Sequence, residues 1–201
     1  MEKAIHKRFG GLLPVVVDCE TGGCNPAKDA LLEVACVSLK YDDQHKLVQD
    51  QVYHYHVEPF EGLRISQESL EVTQIQPYHP FRFAVEEAKM LCELSEAIGS
   101  LVEQYRCRRA VLVGHNAQFD LSFMQAAFAR NGMTRKSPFH RFTTFDTATI
   151  AGICYRETVL AKAMRRARVN FDVNEAHSAL YDAKKTAELY CKVVNRLDDV
   201  Y

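Results

Sequence analysis

Four carboxylates and one histidine stand at spacings that suit metal-assisted chemistry. Asp18 and Glu20 are two residues apart near the end of an apolar run, so a strand would point both side chains to one face. Two like charges at the edge of a core repel each other and lose hydration, and a divalent cation is a natural counter-charge. Exposure of both side chains at a strand end explains the pair equally well.

The other two carboxylates, Asp120 and Asp182, occur in the segments GHNAQFD (114–120) and AHSALYD (176–182). Asp120 follows a predicted strand and begins a predicted helix, where the helix dipole alone favours an acidic residue. His177 and Asp182 are five positions apart, which is about 140° on a regular helix. We therefore predict His177 on a loop before a helix, with Ser178 near the cap. A surface loop is also the ordinary place for a single histidine.

Hydrolysis of a phosphodiester bond needs residues of these types. Two Mg²⁺ ions about 3.5–4 Å apart can activate water and stabilise the leaving 3′ oxygen, and such hard cations prefer carboxylate oxygens. Histidine suits the role of general base because it titrates near neutral pH. The predicted ligands of two Mg²⁺ ions, which Mn²⁺ can replace, are Asp18, Glu20, Asp120 and Asp182. The predicted general base is His177.

The elements that must position these residues follow from the apolar patterns. Strands are predicted at 14–20, 31–41, 52–57 and 110–113. Helical patterns occupy 65–105, with interruptions at Pro77 and Pro80, and then 120–130 and 178–196, while 142–150 is strand-like at first. The predicted fold class is α/β: a mixed sheet with an antiparallel three-strand meander followed by α/β units, with helices on both faces.

Composition limits the class of protein. The 201 residues are 47% hydrophobic and 25% charged, which predicts one soluble domain over 1–201 with a core at about 14–196. A net charge of −1 neither favours nor excludes a nucleic-acid partner. Seven cysteines without a C-x-x-C pair favour free thiols in a reducing cytoplasm. We expect neither a signal peptide nor a membrane-spanning segment.

In sequence order, D-x-E at 18–20, N-x-x-F-D at 116–120 and H-x-x-x-x-D at 177–182 resemble the signature of the DEDDh exonucleases, over residues 15–194. The resemblance implies a ribonuclease H-like fold and Asp18 as the bridge between two ions. The segments 29–35, 54–60, 137–147 and 176–182 resemble the ribonuclease T family. That implies a cytoplasmic homodimer that trims 3′ ends of tRNA and other stable RNAs, degrades single-stranded DNA and releases nucleoside 5′-monophosphates.

Further substrate contacts follow from the same resemblance. The family stacks aromatic side chains on terminal bases, and Phe119 and Phe142 match two of those positions, although core packing is the alternative for both rings. Glu68 matches an acid that contacts a base. Cys24 and Val72 stand where the family has phenylalanine. These two departures predict weaker discrimination between terminal bases, particularly weaker rejection of cytosine.

A basic surface is expected to hold the rest of the strand. Its candidate residues are Arg8, Arg106, Arg108, Arg109, Arg135 and Lys136. The resemblance implies that this surface on one subunit feeds the active site of the other subunit. Gly10 stands where a second basic residue beside Arg8 is expected, and solvated surface charge explains any single member of the set equally well.

Three alternative functions remain open from the sequence. Two belong to the same family, namely a DNA proofreading exonuclease and an oligoribonuclease. A proofreading subunit would need a partner-binding tail, for which we see no pattern after Asn195. The third is a catalytically silent module that binds RNA 3′ ends, and the presence of all five catalytic residue types argues against it.

Overall fold

The computed structural model describes residues 4–199, which are built around a five-stranded sheet. The strands are β1 (Leu12–Thr21), β2 (Leu31–Tyr41), β3 (Leu47–His56), β4 (Arg109–Gly114) and β5 (Phe139–Asp146). Their order across the sheet is β3-β2-β1-β4-β5. The pairs β1–β2 and β2–β3 are antiparallel, whereas β1–β4 and β4–β5 are parallel. The predicted meander followed by α/β units is confirmed.

The central strands are buried because their sequences are continuously apolar. Val15, Val16 and Val17 on β1 are fully buried, as are Val111 and Val113 on β4. β-Branched side chains pack well on a pleated surface, and strands covered on both faces have apolar rather than alternating sequences. β1 therefore places its polar C-terminal residues at the edge of a rigid core.

The helices cover both faces of the sheet. They are α1 (Ile5–Arg8), α2 (Gln67–Thr73), α3 (Glu87–Gln104), α4 (Gln118–Arg130), α5 (Thr147–Tyr155), α6 (Leu160–Arg166) and α7 (Ala179–Asp198), and short 3₁₀ helices span Pro80–Arg82 and Thr134–Lys136. Helix α7 packs across β1, β2 and β3, while α3 and α4 pack against β1 and β4. A smaller apolar cluster joins α5 and α6 to Leu189 of α7.

Several element boundaries differ from the predictions. Residues 74–86 are mostly loop, so the predicted helical region at 65–105 divides into α2 and α3. The strand-like segment at 142–150 ends at Asp146, because the Asp146 side chain accepts a hydrogen bond from the Ala148 N–H at 3.1 Å and thereby caps α5. Strand β3 begins at Leu47 rather than at 52, since its polar outer residues hide the strand pattern.

All seven cysteines are free thiols, of which Cys24 and Cys154 are exposed. Burial raises the pKa of the Cys191 thiol to about 12, so this thiol is a protonated core group. Within residues 4–199, every helix is too short or too polar to span a bilayer.

Candidate active site

Three of the four predicted carboxylates meet at the C-terminal end of β1. Asp18 pairs with Ala35 and Glu20 pairs with Glu33 in the β1–β2 register, so Asp18 and Glu20 point to the same face of the sheet. Asp182 reaches the same place from the first turn of α7. One carboxylate oxygen from each of Asp18, Glu20 and Asp182 lies within 4.8 Å of the others. We call these three residues the acidic cluster.

Asp120 lies beside the acidic cluster and is 4% exposed. Its Oδ1 accepts a hydrogen bond of 2.9 Å from the backbone N–H of Cys19, which ties α4 to β1 between Asp18 and Glu20. Gly114 makes room for this carboxylate, because a Cβ at that position would lie 3.1 Å from Asp120 Oδ2 and 3.0 Å from Ala117 Cα. The structure therefore places Asp120 next to the three-residue group rather than within it.

The electrostatics of the site favour a bound cation. Burial, followed by the charge of Asp120, raises the pKa of Asp18 well above its usual range. Burial and the neighbouring Glu33 raise the pKa of Glu20 to about 8. Burial also raises the pKa of Asp120 to about 7 and the pKa of Asp182 by a smaller amount. A bound proton or a bound cation therefore stabilises each of these carboxylates.

The Asp182 carboxylate gives a direct test of whether a metal fits. Its Oδ1 is buried, and within the described part of the chain it has no hydrogen-bond partner. Buried polar atoms are rarely left without a partner. The donor set at this place consists of carboxylate oxygens, which Mg²⁺ prefers. The residues present therefore fit a divalent cation with oxygen ligands.

His177 lies on the loop before α7, as predicted, with its backbone at a φ of 67°. Ser178 is the N-cap residue, but its side chain makes no cap hydrogen bond in the described structure. Instead, the backbone N–H of His177 donates to Asp182 Oδ2 at 3.0 Å. The imidazole is exposed and lines a cavity of 740 Å³ together with Val72 and Thr73.

A second cavity, of 610 Å³, opens beside Glu20. Four predicted substrate-binding residues line it: Cys24, Glu68, Val72 and Phe119. Val72 and Thr73 line both this cavity and the one that holds His177, so the two cavities adjoin. The structure thus brings these four residues to one place next to the acidic cluster.

The wall of this cavity depends on the loop between β1 and β2. Asp29 accepts a hydrogen bond from the Asn25 N–H at 2.8 Å and forms an ion pair with Arg64 at 2.8 Å. Gly22 approaches that segment closely, since a Cβ there would lie 2.7 Å from the carbonyl oxygen of Arg64. The sequence predicts no role for Asp29 or Arg64, although the segment 29–35 resembles the ribonuclease T family.

The two predicted stacking phenylalanines have different surroundings. Phe119 is half-buried, with its ring centroid 4.9 Å from that of Phe123, and it also lines the 610 Å³ cavity. Phe142 on β5 is 77% exposed, and the Arg141 guanidinium lies 5.3 Å from its ring centroid. Core packing is therefore excluded for Phe142 and accounts for only part of Phe119. Phe142 lies outside the set of residues that line this cavity.

The predicted basic residues lie at the opposite end of the strands. Arg109 begins β4 and pairs with Leu12 at the start of β1. Leu12 precedes Asp18 by six positions on β1, which corresponds to roughly 20 Å. Three of the arginines bind within the chain: Arg8 to Asp198 at 2.7 Å, Arg108 to the Gly10 carbonyl at 2.6 Å, and Arg109 to the Ser137 carbonyl at 2.9 Å. Arg106, Arg135 and Lys136 lie near the same end.

Sequence reasoning missed residues that support the site. Asp146 accepts a hydrogen bond from the Asn116 N–H at 3.0 Å and so holds the loop that leads to Asp120. His115 contacts Thr147 Oγ1 at 3.0 Å and the Thr158 carbonyl at 2.7 Å. Both residues lie in segments that resemble the family, but only the distant contacts identify what they hold.

Comparisons with known proteins show the family of this chain. A family model described as exonuclease matches residues 15–190. Ribonuclease T of Haemophilus ducreyi is 47% identical over 196 residues, which are 98% of this chain and 91% of that protein.

Solved structures of exonuclease I share the fold. The E. coli enzyme in complex with a dT13 oligonucleotide matches with a TM-score of 0.70 and 16% identity over 94% of this chain. The Methylocaldum szegediense enzyme matches with a TM-score of 0.69 and 16% identity over 94% of this chain. This chain spans 42% of each of those two proteins. From the family model and the relative of 47% identity, the chain belongs to the exonuclease family that includes ribonuclease T.

Proposed function

We propose that this exonuclease is a 3′→5′ exoribonuclease of the ribonuclease T type. Its substrates would be the 3′ ends of tRNA and other stable RNAs, with single-stranded DNA as a further substrate and nucleoside 5′-monophosphates as products. The observation that carries the proposal is the 610 Å³ cavity, in which Glu68, Phe119, Cys24 and Val72 adjoin Glu20, a predicted metal ligand. We also propose that residues 1–201 form one exonuclease domain.

The acidic cluster and Asp120 would hold two Mg²⁺ ions, which Mn²⁺ can replace. The raised pKa values of these carboxylates and the unpartnered Oδ1 of Asp182 support this assignment. When bound, such ions activate water and stabilise negative charge on the leaving 3′ oxygen. After burial, the charges of Asp120, Glu20 and Asp182 all raise the pKa of Asp18, so Asp18 lies near all three carboxylates, which would suit a residue that contacts both ions.

His177 would accept the proton of the attacking water. The water oxygen bonds to phosphorus, and the bond from phosphorus to the 3′ oxygen breaks. The leaving 3′ oxygen takes a proton from solvent, so the shortened strand keeps a 3′ hydroxyl and the removed nucleotide carries the phosphate as a 5′-monophosphate. The imidazole is exposed to solvent and the His177 backbone N–H donates to Asp182, which supports this role.

The cavity would bind the terminal nucleotides. Phe119 contacts Phe123 with its ring tilted by 46° and also lines the cavity, so part of the ring can stack on a base. Glu68 offers a carboxylate that can accept a hydrogen bond from a base. Phe142 lies elsewhere, and its exposure suits stacking on a base further along the strand.

We further propose that the enzyme acts in the cytoplasm as a homodimer. The separation of roughly 20 Å between the basic residues and the acidic cluster supports action between subunits. Arg8, Arg109 and Arg135 of one subunit would then bind phosphates of a strand whose 3′ end lies in the partner's cavity. Such phosphate binding should weaken strongly as the salt concentration rises.

A trimming assay tests the proposed activity. The substrate is a short duplex RNA with a few overhanging 3′ nucleotides and a label at its 5′ end, incubated with Mg²⁺ or with EDTA. We expect stepwise shortening that stops near the duplex and requires Mg²⁺. Binding without shortening would instead indicate an RNA 3′-end-binding module. Preference for a mismatched DNA end would favour proofreading, and preference for dinucleotides would favour an oligoribonuclease.

Mixed subunits test the dimer. We expect preparations of His177→Ala and of Arg109→Ala with Arg135→Ala each to be weakly active alone. After the two are mixed and allowed to exchange subunits, one site in a mixed dimer has both an intact His177 and intact basic residues from the other subunit, so activity should rise. An unchanged activity together with a monomeric mass by sedimentation would contradict the dimer model.

A further inference from the structure

A second group of metal-ligand side chains lies on the same face of the sheet as the acidic cluster. Glu33 on β2 pairs with Glu20 on one side and with His56 of β3 on the other. His54 pairs with Ala35, two residues along from Glu33. Directly paired residues of antiparallel strands share a face, as do residues two apart on one strand. The side chains of Glu33, His54 and His56 therefore converge, and we call them the histidine cluster.

The distances within the histidine cluster approach those of a metal site. His54 Nε2 lies 2.6 Å from Glu33 Oε1, and His56 Nδ1 lies 4.0 Å from Glu33 Oε2. The two imidazole centroids are 4.8 Å apart in an edge-to-face arrangement. One ligand atom from each residue lies within 4.8 Å of the others. Ligands at the usual distances from Zn²⁺ lie about 3.3 Å from one another in a tetrahedron, so small side-chain movements suffice.

An unsatisfied atom points to a ligand. His56 Nδ1 is buried, and it has no hydrogen-bond partner among residues 4–199. Glu33 is 5% exposed, so its carboxylate is also shielded from water. A buried carboxylate beside a buried nitrogen without a partner is unfavourable unless a further group binds both. A metal ion would satisfy both at once.

Arg82 is a positive charge beside the histidine cluster, but its hydrogen bonds go to the backbone. Its guanidinium donates to the carbonyl oxygens of Val57 at 3.0 Å and Pro77 at 3.4 Å, and also to that of Leu32. It thereby fastens the 3₁₀ helix to the ends of β2 and β3. Although its charge acts on Glu33 through space, its hydrogen bonds go to the backbone.

The approach to the histidine cluster is open on one side. His56 lines a cavity of 440 Å³ together with His79, Gln74 and Gln76. This cavity gives an ion a route to the histidine cluster. It also leaves space for water, or for a movement of His79, to complete a four-ligand shell.

The donor atoms decide which metal is bound. The acidic cluster offers oxygen atoms, which Mg²⁺ prefers, whereas two imidazoles and one carboxylate suit Zn²⁺ and related transition ions. We propose that Glu33, His54 and His56 form a second metal site, for a divalent transition ion of the zinc type. This site would link β2 to the edge strand β3 beside Glu20. The proposal does not rest on the proposed RNA substrate.

Zinc titration tests the site directly. Zn²⁺ is titrated by calorimetry in excess Mg²⁺ into a Cys24→Ser background, which removes an exposed thiol near Glu20. We expect one tight site, weakened at least about 100-fold in a His54→Gln/His56→Gln variant, because loss of a direct ligand should exceed the tenfold to hundredfold effect of outer partners. His45→Gln, an exposed histidine in the β2–β3 turn, is the matched control. Equal affinity in all three proteins would overturn the proposal.

Histidine ring NMR keeps the test valid if the double variant misfolds. In the Cys24→Ser protein, Zn²⁺ should shift the ring signals of His54 and His56, while those of His45 and His140 stay in place. Unshifted His54 and His56 signals would overturn the proposal without any variant of these residues. Zinc binding without RNA trimming would refute only the proposed function, whereas trimming without zinc binding would refute only this inference.

Discussion

The acidic cluster and the loop that carries His177 lie side by side but are held in different ways. Asp18 and Glu20 stand on the central strand of the sheet, which has strands paired on both sides. Asp120 is fixed to that strand by the hydrogen bond from Cys19. His177 is exposed, has a left-handed backbone and reaches the site through one backbone hydrogen bond to Asp182.

This difference matches the different roles proposed for the metal ligands and for the general base. The metal ligands are held in place by the sheet and by the hydrogen bond from Cys19 to Asp120, and burial first and repulsion between neighbouring carboxylates second raise the pKa values of Asp18 and Glu20. The proposed general base stands on an exposed loop and has a left-handed backbone. Because the backbone N–H of His177 donates to the Asp182 carboxylate, a change in the charge around Asp182 acts directly on the His177 backbone. Metal binding and placement of the base are thus linked through one carboxylate.

Removing the central carboxylate should have the largest effect. We expect Asp18→Asn to lower the trimming rate by about 10⁴-fold, or about 5.4 kcal/mol, because both roles of the metals depend on it. Mg²⁺ should also no longer raise the melting temperature of this variant. Asp43→Asn, in the exposed β2–β3 turn, is the control. A trimming rate close to that of the wild type would contradict the assignment.

Changing the exposed histidine should separate catalysis from metal binding. We expect His177→Ala to lower kcat by about 10³-fold, within the range for loss of a general base. Stabilisation by Mg²⁺ should be unchanged, because alanine keeps the backbone N–H that donates to Asp182 and all four predicted metal ligands remain. His45→Ala is a close control, since His45 is also exposed and has a φ of 58°. If His177→Ala also abolished the effect of Mg²⁺, the loop would be part of the metal site.

The exposed aromatic ring on β5 should act through binding alone. We expect Phe142→Ala to raise KM for single-stranded substrates by about 5- to 150-fold, corresponding to the loss of about 1–3 kcal/mol of stacking, with kcat retained. Phe83→Ala removes a ring that is 80% exposed, close to the 77% of Phe142, and serves as the control. Equal effects of the two substitutions would show that Phe142 has no special place on the substrate path.

Cys24 and Val72, the two cavity residues that stand where the family has phenylalanine, should have a smaller effect on the trimming rate. We expect Cys24→Phe and Val72→Phe to increase discrimination between terminal bases up to about 10-fold, since each adds a stacking surface to the cavity. The measurement is the trimming rate on single-stranded oligomers that differ only in the last base. Cys154→Phe, at an exposed cysteine outside this cavity, should change nothing. Wild-type rejection of cytosine at the level typical of the family would contradict the hypothesis.

The stability of the metal-free protein should report the strain in the cluster. The pKa of Glu20 is raised from 4.5 to about 8, so the folded state binds more protons than the unfolded state between those values. Stability from this group is therefore complete below about pH 4.5 and is lost as pH rises towards 8. We expect the melting temperature in EDTA to fall over this window, with a shallower slope for Glu20→Gln and recovery in Mg²⁺. A slope that Glu20→Gln leaves unchanged would place the effect elsewhere.

Local elements were predictable where local chemistry determines them. The bounds predicted for β2, 31–41, are those observed, because an apolar run with polar turns at its ends has one favourable state. Helices α1 and α6 were not predicted, since α1 is a single turn of four residues and α6 has seven residues, too short for a clear helical pattern. The start of α5 depends on the Asp146 cap, which the strand-like pattern around it concealed.

The sequence by itself determined which residues carry chemistry and how neighbours are arranged. Asp18 and Glu20 share a face because strand side chains alternate, and His177 precedes a helix because the spacing to Asp182 excludes one continuous face. Only the tertiary structure decided which distant groups meet. It placed Asp182 within 4.8 Å of Asp18 and Glu20, bound Asp120 to Cys19, and set Glu33 against His54. Such contacts depend on strand register and helix packing, which burial of the whole core determines.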